Sequence, residues 1–259
     1  MYKYDIYLTN KLSDSNPEVV KLNDFLKKEN CVRNEQNPDI VFVFGGDGSL
    51  LNAIKIHNLH PTMFLLINAG TLGFYKEYDL ADVDRLINEF NFDELIREEH
   101  HLLEVSDAYG NKAYAVNEVM VASSVKTLSI DVFINNNFLF SCMGSGVCIS
   151  SPFGSTGYNH SLGGSLLTGD LGMILTLVAP IHNAHTHPLI NSLVVADKDE
   201  IQIEVKKDTK FELAGDMKYL DNLQGNSFII SKSQRFFYLV HTKKIDEYQR
   251  IRHSFIDEK

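Results

Sequence analysis

Two short, unbroken apolar runs constrain this chain's fold more than any other stretch: DIVFVF (Asp39–Phe44) and TMFLLIN (Thr62–Asn68). Neither alternates polar with apolar residues, so each predicts a strand covered on both faces, the habit of parallel sheets. Parallel neighbours need long crossovers, usually helices. Helical patterns follow both runs: LLNAIKIHN after GGDGS, and DVDRLINEF after AGTLGFY. Ahead of them, Tyr2–Leu8 alternates as a strand. Pro17 then opens PEVVKLNDFLKK, whose Val19, Leu22, Phe25 and Leu26 share one helical stripe. Strand and helix in turn predict a Rossmann-like α/β domain over residues 1–97.

Past residue 98 the texture changes. HHLLEVSDAYGNKAYAVNEVMVA reads as two strands about Tyr109-Gly110-Asn111-Lys112, and SIDVFINNNFLFSC as a hairpin about Asn135-Asn136-Asn137. NSLVVA, EIQIEV, FELAG, NSFIIS and FFYLVH read as further strands, and only HSLGGSLL as a short helix. This predicts a mostly-β domain over 98–235 and a tail, 236–259, with a weak helical stripe that returns to the first domain. The two domains are expected to be closely coupled, with the active site between them.

Composition narrows the classes. With 259 residues, 44% hydrophobic and 22% charged, the chain is neither disordered nor fibrous. No apolar run reaches the roughly 18–20 residues that span a bilayer, and MYKYDIYLTN lacks the pattern of a secretory signal. A net charge of −10 disfavours nucleic acid and anionic membranes as partners. Cys31, Cys142 and Cys148 make no disulfide or zinc framework. These features predict an acidic cytoplasmic protein.

Three motifs carry chemistry. In Gly45-Gly46-Asp47-Gly48-Ser49, glycines between a buried strand and a helix let a ligand approach the backbone, and the helix start favours phosphate. Asp47 would repel phosphate unless it takes a proton from an attacking hydroxyl or helps hold magnesium; otherwise it is a helix cap. Walker and G-x-G-x-x-G phosphate loops are missing. Asn117-Glu118 sits in an apolar β-run, where adjacent residues face opposite sides and only one need meet a ligand. Ser150–Ser161, rich in hydroxyls and glycines, offers donors to a sugar or phosphate and, at Tyr158, a ring face. Three other groupings are set aside: His182, His185 and His187 lack a nearby carboxylate or cysteine for zinc. The serines of 149–155 lack the hydrolase elbow spacing. His100 and His101 point opposite ways on a strand.

In this order, GGDG at 45–48, NE at 117–118 and SPFGSTGYNHSLGG at 151–164, the chain resembles the NAD kinase family, which phosphorylates the 2′-hydroxyl of the adenosine ribose of NAD to give NADP. LGFY at 72–75, Asp216 in FELAGD and the closing RIRHSFID also match the family's order. The resemblance implies an α/β first domain, a β-rich second and a returning tail. It implies Asp47 as proton acceptor, with Gly45, Gly46 and Gly48 at the nucleotide or donor phosphates and Phe74 at the adenine. It puts Asn117 and Glu118 on the adenosine, with Thr156, Gly157, Tyr158 and Ser161 framing the NAD pocket, and Ala179 and Asp216 beside it. ATP or inorganic polyphosphate would be the donor, with a divalent cation such as magnesium. No protein-ligated metal site is implied. The family assembles as homodimers or homotetramers.

GGDG alone also occurs in lipid and sugar kinases, the alternative enzyme reading. Met143-Gly144-Ser145-Gly146 stands where many members carry a basic residue and Gly-Asp-Gly. That departure is the one hint of a third reading, a non-catalytic NAD(P) sensor. Gly157 replaces the usual alanine, Ser151 the usual threonine, and Met217 follows Asp216 where a polar residue is frequent.

Overall fold

The computed structural model describes residues 1–57, 61–70, 73–182, 189, 191–206 and 209–257. Two compact units emerge: residues 1–100 together with 235–259, and residues 101–234.

The first unit is built on a parallel sheet. Val32–Arg33, Lys3–Leu8, Ile40–Gly45 and Met63–Asn68 lie side by side in that order, and Tyr238 and Leu239 extend the sheet alongside Met63 and Phe64. Every residue of Ile40–Gly45 and Met63–Asn68 is buried, as unbroken apolar runs require. Helix Pro17–Lys28 starts where Pro17 predicts, with Asn16 accepting from the Glu18 N–H as its cap. Val19, Leu22 and Leu26 face the core beside Phe42, Phe44, Leu65 and Val83. The other predicted helices appear as Asp47–Ile56, Val83–Glu89 and, in the tail, Glu247–Phe255.

The second unit carries an antiparallel sheet ordered Leu193–Val195, Met173–Val178, Gly146–Ser150, Glu118–Ala122, Glu212–Gly215 and Lys218–Tyr219. A second antiparallel set contains Asn137–Gly144, Leu128–Ile134, Ile201–Val205 and the first part of Ser227–His241. Val119, Val121, Val147 and Ile149 of the first set share one core with Ile130, Val132, Ile201, Ile203 and Ile230 of the second. Leu128–Ile134 and Ile201–Val205 alternate buried with partly exposed residues, the habit of a sheet with one dry face, whereas Gly146–Ser150 is buried throughout. The Asn135-Asn136 hairpin forms with both residues at positive φ, 51° and 64°.

Three details differ from the sequence reading. NSFIIS and FFYLVH are one strand, Ser227–His241, because the polar KSQR between them stays extended. Of HSLGGSLL only His160 and Ser161 are helical, as the end of a single turn, Tyr158–Ser161. The YAVNEVMVA run is broken at Val116–Asn117, so Lys112–Ala115 and Glu118–Ala122 are separate strands.

The tail is tied to the rest of the first unit by a charged cluster in which His241 and Glu77 are buried and Glu98 is half-buried. His241, 1% exposed, places Nδ1 3.3 Å from Glu77 and Nε2 3.3 Å from Glu98. Glu77 also accepts from the Thr242 N–H (3.1 Å) and hydroxyl (2.6 Å). Burial alone would push both carboxyls up and His241 down. Hydrogen bonding, His241 and Thr242 to Glu77 and His100 and His241 to Glu98, outweighs it, holding Glu77 and Glu98 below the carboxylate range and His241 above the usual imidazole value. The glutamates' stabilisation is present above their unfolded value of about 4.3 and lost as pH falls through the lowered folded values. That of His241 is full below about 6.5 and lost as pH rises through its raised folded value. Thermal unfolding across pH should therefore show greatest stability between those limits. In His241→Gln the deficit against wild type should shrink at alkaline pH; a deficit constant with pH would show that His241 is not a cation here.

Candidate functional site

The GGDG loop is shaped by its two flanking elements. Strand Ile40–Gly45 ends against Asn68 in register, and Gly46 caps helix Asp47–Ile56. A Cβ on Gly45 would sit 2.2 Å from Ser49 Oγ, so the strand can run into the helix this tightly only with glycine there. A Cβ on Gly48 would meet nothing within 4 Å, which leaves the loop face open. Ser49 and Leu50 N–H groups donate back to Gly46 O (2.9 and 3.0 Å), while the N–H groups of Asp47 and Gly48 precede the first intrahelical acceptor.

Asp47 does not cap its own helix. Its carboxylate crosses to the segment after the next strand, where Oδ2 accepts from the Phe74 N–H at 2.8 Å and Oδ1 from the Tyr75 N–H at 3.2 Å. Asn68, at the end of that strand, steadies the intervening loop by donating to Gly70 O and Asp79 Oδ1, both at 2.8 Å. The first unit thus brings Gly45, Gly46, Asp47 and Gly48 together with Phe74; Thr71 and Leu72 lie outside the described residues.

In the second unit, three segments converge on the Val116–Asn117–Glu118 backbone. The buried Asp216 carboxylate accepts from the Val116 N–H (2.9 and 3.1 Å) and the Asn117 N–H (2.7 Å). Asn117 O accepts from the Ser151 N–H at 2.8 Å and the Ser150 hydroxyl at 3.3 Å. Ser151 Oγ donates to Val116 O at 2.7 Å and accepts from the Gly154 N–H at 3.0 Å. A Cβ on Gly154 would lie 2.2 Å from Asn117 O, so the third motif seats directly on the second.

This clamp corrects the expectation that Asn117 and Glu118 face opposite sides. Asn117 precedes the strand that Glu118 begins, and both side chains reach Gly157: a Cβ there would be 3.7 Å from Asn117 Nδ2 and 3.9 Å from Glu118 Oε2. Its nearest neighbour would be Gly154 O at 3.3 Å, so the family's alanine would fit with a slight adjustment. Asp216 turns its carboxylate to the backbone of the motif and works as its holder. It sits at φ +49° in a tight turn with Met217 at +64°.

Sequence reasoning missed Asn159. Wholly buried, it donates to Ser155 O (3.1 Å) and Ser165 O (2.9 Å) and accepts from Thr176 Oγ1 (2.8 Å). It is the internal brace of the third motif; the adjacent Gly163-Gly164 pair was the available signal, since a Cβ on Gly164 would collide with Asn159 Oδ1. Around this brace Thr156 and Gly157 are partly exposed, and Tyr158 and Ser161 reach solvent. Ala179 is exposed at φ +44°, following strand Met173–Val178. Met143 is 39% exposed, and Ser145 is held by its backbone, donating to Val178 O and accepting from the Ser123 N–H. His182 is exposed; His185 and His187 lie outside the described residues.

The fold is that of the NAD(H) kinases. The structure superimposes on yeast NADH kinase complexed with NADH with a TM-score of 0.81 at 16% identity, covering 100% of this chain and 89% of the other. It matches an NAD kinase from Archaeoglobus fulgidus in complex with ATP at 0.74 and 19% identity, covering 98% and 97%. Residues 116–242 match the family model described as the ATP-NAD kinase C-terminal domain. The NAD kinase of Streptococcus pyogenes serotype M3 is 32% identical over 233 residues, 86% of this chain and 84% of the relative. The chain belongs to the NAD kinase family.

Replacing Asp216 by Asn keeps the side-chain shape and a tolerated left-handed residue but removes the charge behind three backbone hydrogen bonds. Chemical denaturation should show a loss of about 1.5–3 kcal/mol. Met217→Ala, one residue on and 93% exposed, should cost under about 0.5 kcal/mol. Equal costs would mean that the turn, not the carboxylate, holds the motif.

Proposed function

We propose that the chain transfers a phosphoryl group to the 2′-hydroxyl of the adenosine ribose of NAD, yielding NADP, with Asp47 as the proton acceptor. The observation that carries this reading is the held carboxylate of Asp47 at the open start of helix Asp47–Ile56. Each carboxylate oxygen has two lone-pair directions. One N–H donor on each leaves both oxygens able to accept from a hydroxyl.

Phosphoryl transfer asks mainly for placement and charge stabilisation. In this reading the N–H groups of Asp47 and Gly48 face donor phosphate, helped by the helix dipole. Gly45 and Gly46 keep that face clear of side chains. Phe74 lies against the adenine. Asn117 and Glu118, their backbone clamped, take the adenosine, with Glu118 on ribose hydroxyls. Thr156, Gly157, Tyr158 and Ser161 frame the rest of the dinucleotide, and Ala179 borders it. Asp216 contributes by holding Asn117.

A divalent cation, magnesium by expectation, fits best as part of the donor complex. Among the described residues no three His, Cys, Asp or Glu side chains form a metal cluster. Magnesium commonly relies on substrate phosphates and water for most of its ligands. The donor is ATP or polyphosphate. The reading also includes a homodimer or homotetramer and a cytoplasmic address; no described helix is long and apolar enough to cross a membrane.

Purified protein given NAD, magnesium and either ATP or polyphosphate should form NADP, and chelation of the cation should stop it. Asp47→Asn should fold, retain NAD binding by calorimetry and lose about 10²–10⁴ in kcat. Wild-type turnover in that variant would remove Asp47 from the chemistry, and phosphorylation of a diacylglycerol instead of NAD would overturn the substrate.

A further inference from the structure

The donors that hold Asp47 are themselves held by the C-terminal tail. Phe74 and Tyr75, whose N–H groups bind the Asp47 carboxylate, pack their rings edge to face with centroids 4.9 Å apart. The Arg250 guanidinium lies 5.6 Å from the centroid of each ring. One turn later on helix Glu247–Phe255, the Phe255 ring lies 5.7 Å from that of Phe74. Arg250 Nη2 is also 3.5 Å from His241 Nε2, so the guanidinium bridges the aromatic pair and the Glu77–His241–Glu98 cluster. Glu77, two residues beyond Tyr75, is fastened to Thr242 through both its N–H and its hydroxyl. The segment 74–77 is therefore gripped on one side by Asp47 and on the other by residues 241–255.

We infer that Arg250, with Phe255, is a positioning residue for the phosphoryl transfer: it fixes the Phe74–Tyr75 backbone, and through it the Asp47 carboxylate. The inference rests on the reading of Asp47 as proton acceptor. A planar guanidinium over two rings restrains both translation and tilt of the segment. A shift of the two N–H groups frees the carboxylate to rotate, and loss of alignment near 1 Å costs a reaction of this kind about 100-fold. Because the tail touches the two donors of Asp47 and, of the proposed binding groups, only Phe74, its effect falls mainly on the chemical step.

Arg250→Ala should lower kcat about 10- to 100-fold. Its calorimetric affinity for NAD should fall less than kcat, since of the proposed binding groups Arg250 touches only Phe74. Arg250→Lys, which keeps a cation over the rings, should recover part of the loss. Gln249→Ala, exposed on the same helix, should behave as wild type. Should Arg250→Ala not fold, Phe255→Leu tests the ring contact alone and should show the same split between kcat and affinity. Unchanged kcat in Arg250→Ala, or in Phe255→Leu where that variant stands in for it, or equal losses in kcat and affinity, would overturn the inference. Asp47→Asn run alongside separates the two failures: if it is inactive while the Arg250 variants are normal, only the positioning role falls. If it is fully active, the reading of Asp47 falls first.

Discussion

Two peptide N–H groups, those of Phe74 and Tyr75, decide what Asp47 is for. An aspartate at the first position of a helix ordinarily turns toward that helix's own unsatisfied donors, where it gains a few tenths to about 1 kcal/mol from the dipole. Asp47 forgoes this and binds donors 27 and 28 residues further on. The choice leaves the helix start clear and stands a carboxylate at a fixed angle beside it. In the proposed reading, an anion site and a base thus share one loop without neutralising each other.

The second unit solves the converse problem. At Asn117–Glu118 the backbone is held so that both side chains reach toward Gly157. Asp216 takes the N–H groups, Ser150 and Ser151 take the carbonyls, and Gly154 lets the third motif seat within contact of Asn117 O. Buried polar groups need partners. Here the backbone's needs are met by residues 33 to 100 positions away, and the amide and carboxylate side chains converge near Gly157. Asn159 braces the far side of the same motif. Loss of any one of these holders would blur the aim of residues it never touches, which is why the motif extends well beyond the pair Asn-Glu.

What the sequence disclosed follows from the range of the forces involved. The buried strands, the Pro17 helix and the Asn135-Asn136 turn were legible because solvent exposure and local φ preferences act over a few residues. The Asp47 contacts were not, since nothing near residue 47 announces the N–H groups of 74 and 75. The break at Val116–Asn117 was hidden for the same reason: a run of β-formers reads as one strand unless a distant carboxylate withdraws its N–H groups. Ser227–His241 was split in the reading by KSQR, whose polarity signals solvent contact and not loss of pairing. Asn159 looked like one more polar loop residue because its burial depends on Thr176 and Ser165. The resemblance proposed site residues by order alone; it did not show that Asp216 turns its carboxylate to the backbone of Val116 and Asn117.

Charge gives the arrangement its last requirement. The chain carries a net −10, and its proposed substrates are polyanions. Near a protein surface, two unit charges about 4 Å apart interact by roughly 4 kcal/mol, so an uncompensated carboxylate beside donor phosphate would repel it by more than one loop's N–H groups return. Asp47 is tolerable there only if its charge is partly absorbed, and two N–H bonds do that while leaving it an acceptor. The remaining phosphate charge must then be met by something that arrives with the donor, which is the physical ground for expecting a divalent cation as part of the substrate. In the proposed reading, a held base, an open helix start and an imported cation are three parts of one electrostatic balance, and the tail that grips residues 74–77 keeps the first of them in place.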